Sequence, residues 1–92
     1  KDYFMEFGEQ LRLLRKTEGY TQKKLAKLLD SSEIGIRLYE TGKRNPNGKF
    51  LKNLCKAFPE YMSWIMTGDS ETMPQVDPHM KEKERVENTK VI

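Results

Sequence analysis

The chain of 92 residues contains one cysteine, one histidine, no long apolar run and no convincing strand alternation, and each shortage removes a class of explanation. Cys55 alone cannot build an intramolecular disulfide framework; this fits a reducing compartment, so a cytoplasmic protein is expected. The single histidine, His79, lies between Pro78 and Met80, far in sequence from Cys55 and without a second histidine to make a metal pair. Neither a metal ligand set nor a Cys-His nucleophile is supported. There is no glycine-rich phosphate loop, and the carboxylates are scattered at surface-like positions that suit salt bridges better than acid/base work. The expectation is therefore no catalytic residue, no metal and no cofactor. No apolar stretch approaches the roughly 18 residues of a membrane span and nothing resembles a signal peptide, so no membrane partner is expected.

What the chain does have is charge, unevenly spread. Charged residues make up 34% and hydrophobic residues 36%, a balance that fits one small helical domain. Residues 1–68 hold 13 Lys/Arg against 8 Asp/Glu, a net +5, and residues 69–92 hold 4 against 6, a net −2. The basic part is the part with folding signals. Lys43, Arg44, Lys49, Lys52 and Lys56 follow one another with no acid between them, as a surface facing phosphates would require; an ordinary solvated face is the alternative.

Apolar spacing of three and four residues recurs almost throughout, which points to an all-α fold of five helices. Phe4, Phe7, Leu11 and Leu14 place a first helix over 4–17, stopped at Gly19, which suits a left-handed cap. Thr21 can cap a second helix with Leu25, Ala26 and Leu29 inside, and Asp30-Ser31-Ser32 breaks it. Ser32 can cap a third over 33–41, with Gly42 as its stop. After the turn cluster Asn45-Pro46-Asn47-Gly48, a fourth helix carries Phe50, Leu51, Leu54, Cys55 and Phe58, with Cys55 read as a small core residue. Pro59 separates it from a short fifth helix over 60–67, ended by Gly68. The domain assignment is thus residues 1–68 as a helical domain and residues 69–92 as a polar C-terminal tail, ordered only in an assembly if at all.

The second and third helices, joined by a short turn, have the form of a helix-turn-helix unit, whose second helix enters the DNA major groove. The residues strengthen this reading: LRLLR at 11–15, GYTQ at 19–22, Leu25-Ala26, Ser32, Ile36, ETGKRNP at 40–46, and Leu54 with Ala57. Together they closely resemble, without gaps, the pattern of the lambda-repressor-like (Cro-type, XRE) helix-turn-helix family, over about 50 of the 92 residues. The resemblance implies roles for particular positions. Glu33, Ile34, Arg37 and Leu38 would face base edges. Gln22, Ser32, Thr41, Lys43, Arg44, Asn47 and Lys49 would hold the DNA backbone, with Gln22 also bracing the first residue of the recognition helix. Arg15 and Glu40 would form a partly buried ion pair. Asp30 stands where the family usually has glycine in the turn, tolerable because aspartate visits the left-handed region more easily than most residues.

Two features leave alternatives open. Wound at about 100° per residue, the third helix puts Ile36 and Tyr39 on one side and Ile34 and Leu38 almost opposite. The second pair can meet thymine methyls in the major groove, or one of the two can pack against the first or second helix. In YMSWIMTG, the large residues exceed what one short helix needs for a small core. Tyr61, Trp64 and Ile65 therefore serve either core packing alone or packing plus a partly exposed dimer contact. The functional expectation is a sequence-specific, phage-repressor-like transcriptional regulator that binds palindromic double-stranded DNA as a homodimer. In size it corresponds to a short Cro-like regulator or to an N-terminal piece of a longer repressor. The alternative is an antitoxin-type adaptor that binds its own operator and also a partner protein through the tail.

Overall fold

The computed structural model describes residues 5–74. Phe4, where the apolar pattern begins, lies outside the described residues, as do His79 and residues 75–92 of the expected tail with any partner contact made there. Helix α1 spans Phe7–Thr17, α2 Gln22–Leu28, α3 Glu33–Glu40, α4 Gly48–Ala57 and α5 Met62–Thr67, with 3-10 turns at Pro59–Tyr61 and Ser70–Thr72.

The boundaries follow from local chemistry. The Thr21 hydroxyl accepts from the Lys24 amide at 3.1 Å, and the Ser32 hydroxyl accepts from Gly35 at 2.9 Å; each satisfies a first-turn N–H that has no partner within its helix. Asn47 Oδ1 accepts from the Phe50 amide at 2.8 Å, so α4 begins at Gly48, ahead of Phe50, where its apolar pattern starts. Gly19, Gly42 and Gly68 adopt φ of 83°, 78° and 72°, the left-handed values that close α1, α3 and α5. Asp30 also takes a left-handed φ, 55°, in the turn between α2 and α3. The expected fifth helix divides: Pro59 opens a tighter 3-10 turn and regular α-helix starts only at Met62. Past Gly68 the chain makes one more short turn, with Asp69 Oδ1 accepting from the Glu71 amide at 3.0 Å, and Met73 packs against the core.

The core is continuous from α1 to α5. Leu11, Leu14, Leu25, Leu29, Ile36 and Leu54 supply its aliphatic part, and Tyr39, Phe50, Phe58, Tyr61 and Trp64 its aromatic part. Tyr61 and Trp64 are 0% exposed and Ile65 is 9% exposed. Of the two alternatives for these three side chains, packing within one chain is the one this burial matches: the 3-10 turn swings Tyr61 inward beside Phe58, ring centroids 6.2 Å apart. The open apolar side chain of α5 is Met66, 71% exposed. Cys55 sits at the half-buried margin, not inside the core. Among the described residues, no helix is long and apolar enough to cross a membrane.

Candidate nucleic-acid interface

Helix α3 has two faces of different character. Ile36 is fully buried and Tyr39 nearly so, the latter packed on Phe50 with centroids 4.5 Å apart. On the other side Glu33 and Arg37 are exposed and Ile34 is 59% exposed, an aliphatic side chain left in water. Leu38 is intermediate, so the two aliphatics opposite the core are not equivalent. Gly35, buried between the faces, has little room: a Cβ there would lie 3.0 Å from the Ser32 hydroxyl and 3.3 Å from that of Ser31.

The attachment of α3 to the rest of the molecule fixes how its outer face is presented. Arg15 on α1 donates from Nε to Glu40 Oε2 at 2.6 Å and from Nη2 to Oε1 at 3.1 Å, a two-pronged pair with side chains only 12% and 4% exposed. The same guanidinium donates from Nη1 to the Tyr20 carbonyl at 3.1 Å. Gln22 Nε2 donates to Glu40 Oε1 at 3.0 Å. Gln22 thus braces the last residue of α3, not the first as the resemblance implies: both ends carry a carboxylate, but it is the enclosed Glu40 that lies within reach, while Glu33 is exposed. Gly8 completes the contact between α1 and α3: a Cβ at that position would lie 2.5 Å and 2.6 Å from the Tyr39 and Glu40 carbonyl oxygens.

The basic segment is tied to the same helix. The Lys43 and Arg44 amides both donate to the Leu38 carbonyl, at 3.0 and 3.2 Å, which folds the loop back under the end of α3. Thr41 donates its hydroxyl to the Arg37 carbonyl at 3.0 Å, so its proton is engaged within the helix end and its oxygen has only acceptor capacity left. Asn47 has its oxygen in the α4 cap, which leaves its Nδ2 donors directed away from the cap. Ser32 accepts through its oxygen in capping α3 and keeps its own O–H. Lys49 is paired with Asp30 at 3.5 Å, both largely exposed, and Asn53 Nδ2 donates to the Leu29 carbonyl at 3.1 Å, bracing the turn before α3 from α4. Gly48 faces open space: an added Cβ would meet nothing within 4 Å.

Four contributors escaped the sequence reading: Gly8, Gln10, Glu18 and Asn53. Gln10 is buried and donates to the Trp64 carbonyl at 2.7 Å; Glu18 is buried and accepts from the Tyr61 hydroxyl at 2.6 Å. Their partners lie 43 or more residues away, beyond any local pattern. Gly8 was the one with a local signal, a glycine inside an otherwise helical run.

Comparison with known proteins agrees with this geometry. A helix-turn-helix family model matches residues 11–65. Among curated proteins, the chain is 36% identical over 70 residues to the HTH-type transcriptional regulator DicA of Escherichia coli K12, covering 76% of this chain and 52% of DicA. It is 37% identical over 65 residues to the HTH-type transcriptional activator BcrR of Enterococcus faecalis, covering 71% of this chain and 32% of BcrR. The chain thus spans about half the length of the first of these relatives and a third of the second. Among solved structures, the P22 c2 repressor in complex with a synthetic operator superposes with a TM-score of 0.63 at 31% identity, covering 71% of this chain and 98% of that one.

Proposed function

Because this chain belongs to the helix-turn-helix family, we propose that it is a sequence-specific DNA-binding transcriptional regulator of the repressor type, reading the major groove with α3. The observation that carries the proposal is the outer face of α3. Glu33, Ile34 and Arg37 project from a helix whose inner face is locked into the core, and the Lys43–Arg44 segment is hydrogen-bonded to that helix. A rigid helix with both a charged and an aliphatic outward set can distinguish base pairs, since the major groove presents donors, acceptors and the thymine methyl. Arg37 suits guanine or a phosphate, Glu33 a cytosine amino group, and Ile34 a methyl. Leu38, half-covered, contributes at the edge of that contact. Lys43, Arg44 and Lys49 supply charge to the backbone, with Ser32, Asn47 and Gln22 as neutral donors; they set register and carry no sequence information. Thr41, its proton engaged, is the weakest of the backbone set.

On this reading two copies bind a palindromic operator, the expectation for a regulator in the bacterial cytoplasm. Their contact through α5 would use Met62 and Met66 in place of the buried Tyr61, Trp64 and Ile65.

Selection from random duplex DNA tests the proposal. The expected product is a palindrome with half-site centres about one helical turn apart, bound with a log K that falls with log salt by about 0.9 per neutralised phosphate. No enrichment at low salt would refute it. Replacing thymine by uracil in the selected site removes methyls alone. Weaker binding at one or more positions is expected from Ile34, and unchanged affinity at every position would remove the methyl contact.

A further inference from the structure

We propose that Glu40 contributes to DNA binding without touching DNA, as a positioning residue that holds the Gln22 side-chain amide so that one of its N–H groups remains for a phosphate. This rests on the DNA-binding reading above and adds to it a device for presenting the contact. A carboxylate can only accept hydrogen bonds. Glu40 Oε2 takes Arg15 Nε at 2.6 Å, and Oε1 takes both Arg15 Nη2 at 3.1 Å and Gln22 Nε2 at 3.0 Å. The amide of Gln22 is thereby polarised in space. Its nitrogen must face Glu40, because the flipped amide would set one oxygen against another. One N–H is used, and the second, about 120° away in the amide plane, is left for a ligand.

Arg15 gives the arrangement its charge balance. A bare carboxylate beside a phosphate-binding amide would repel the phosphate, but Glu40 is neutralised by a guanidinium that the Tyr20 carbonyl also holds, at 3.1 Å. Tyr20 lies two residues before Gln22, so the network joins α1, the turn after it, the start of α2 and the end of α3. The Glu40 side chain, 4% exposed, is too enclosed to meet the phosphate itself.

The test is a double-variant cycle on affinity for the selected duplex, with Gln22→Ala, Glu40→Gln and the combination, each shown folded by circular dichroism at the temperature used. A hydrogen bond to an ionised phosphate corresponds to about a tenfold loss or more for Gln22→Ala. Glu40→Gln should weaken binding by a similar factor when Gln22 is present and by less than about twofold when it is absent. Equal factors in both backgrounds would show that Glu40 acts through the fold alone and would overturn the proposal. If Glu40→Gln does not fold, Glu40→Asp carries the same cycle, keeping the charge for Arg15 while retracting it from Gln22. A readout without DNA is the pair of Gln22 side-chain N–H signals in a nitrogen-15 spectrum. They should be separated and slow to exchange in the wild type, and should collapse toward free-amide behaviour in the Glu40 variant. Free-amide behaviour in the wild type would overturn the orientation. Absence of duplex binding by the wild type would overturn the DNA-binding reading and this role with it, whereas binding with equal factors overturns this role only.

Discussion

The α5 end, with the 3-10 turn before it, is held by a run of packed rings, Tyr20, Phe58, Tyr61 and Trp64, and by two buried side-chain hydrogen bonds to the α1 region, whereas α3 is fastened to α1 and α2 through an ion pair, an amide and a glycine in addition to Ile36 and Tyr39. At the α5 end, Trp64 and Tyr61 are fully buried with centroids 6.0 Å apart, and Gln10 and Glu18 of the α1 region hydrogen-bond to Trp64 and Tyr61. At the α3 end, Arg15, Glu40 and Gln22 form a charged network at the margin of solvent, and Gly8 lets two backbones touch. Burial of apolar surface is non-directional and tolerates small rotations, although ring pairs keep a preference for edge-to-face contact. Hydrogen bonds to a carboxylate and backbone contact without a Cβ fix direction and distance. The difference is one of balance: the α5 end rests mainly on buried rings with two hydrogen bonds added, and the α3 end mainly on hydrogen bonds to one carboxylate and a backbone contact that set the helix's angle.

The comparison breaks most visibly at Trp64. Trp64→Ala should destabilise the chain by about 3 to 5 kcal/mol in a urea melt, since it removes the largest fully buried side chain and leaves a cavity. A small domain has little more than that to lose, so partial unfolding at 25 °C is expected. A loss below about 1 kcal/mol would mean that the α5 end does not anchor the fold.

Glu40→Gln probes the other end. Removing one partner of an enclosed pair costs about 3 to 5 kcal/mol because the remaining charge is stranded; with Arg15 12% exposed, about 3 is expected. An exposed pair would cost about 1 at most, so the urea midpoint separates the two cases. Gly8→Ala follows. Alanine favours helix over glycine by up to about 1 kcal/mol, but here its Cβ would meet two carbonyl oxygens at 2.5 and 2.6 Å, and backbone cannot rotate away as a side chain can. A net loss of about 1 to 3 kcal/mol is expected, accompanied by weaker duplex binding as α1 and α3 move apart. Stabilisation by this change would refute the close-contact account.

These two ends were not equally legible in the sequence. Helix positions followed from apolar spacing, and helix ends from Thr21, Ser32, Gly19, Gly42 and Gly68, because capping and left-handed turns are local and leave local marks. The outward placement of Glu33, Ile34 and Arg37 followed from winding one helix. The split before α5 did not, because Pro59 is compatible with either a helix start or a 3-10 turn and tertiary packing of Tyr61 decides between them. Gln22's true partner was also hidden: whether it braces Glu33 or Glu40 depends on how α2 crosses α3, which no spacing along one helix contains. Burial of Gln10 and Glu18 was hidden for the same reason. A polar residue is read as exposed until its distant partner is known.

The smallest effect tests whether polarity or enclosure gives the α3 end its strength. Lys49 and Asp30 make a second ion pair beside the same helix-turn-helix unit, at 3.5 Å, but with side chains 73% and 83% exposed. Each charge keeps most of its hydration, so little is gained when they approach and little is lost when they part. Asp30 also holds a left-handed φ of 55°, a conformation that asparagine adopts as readily as aspartate. Asp30→Asn therefore removes the charge while leaving the turn intact, and its expected cost is below about 0.5 kcal/mol. If instead it costs as much as Glu40→Gln, then attraction between charges alone would account for both pairs, and enclosure of the Arg15–Glu40 pair would lose its part in holding α3.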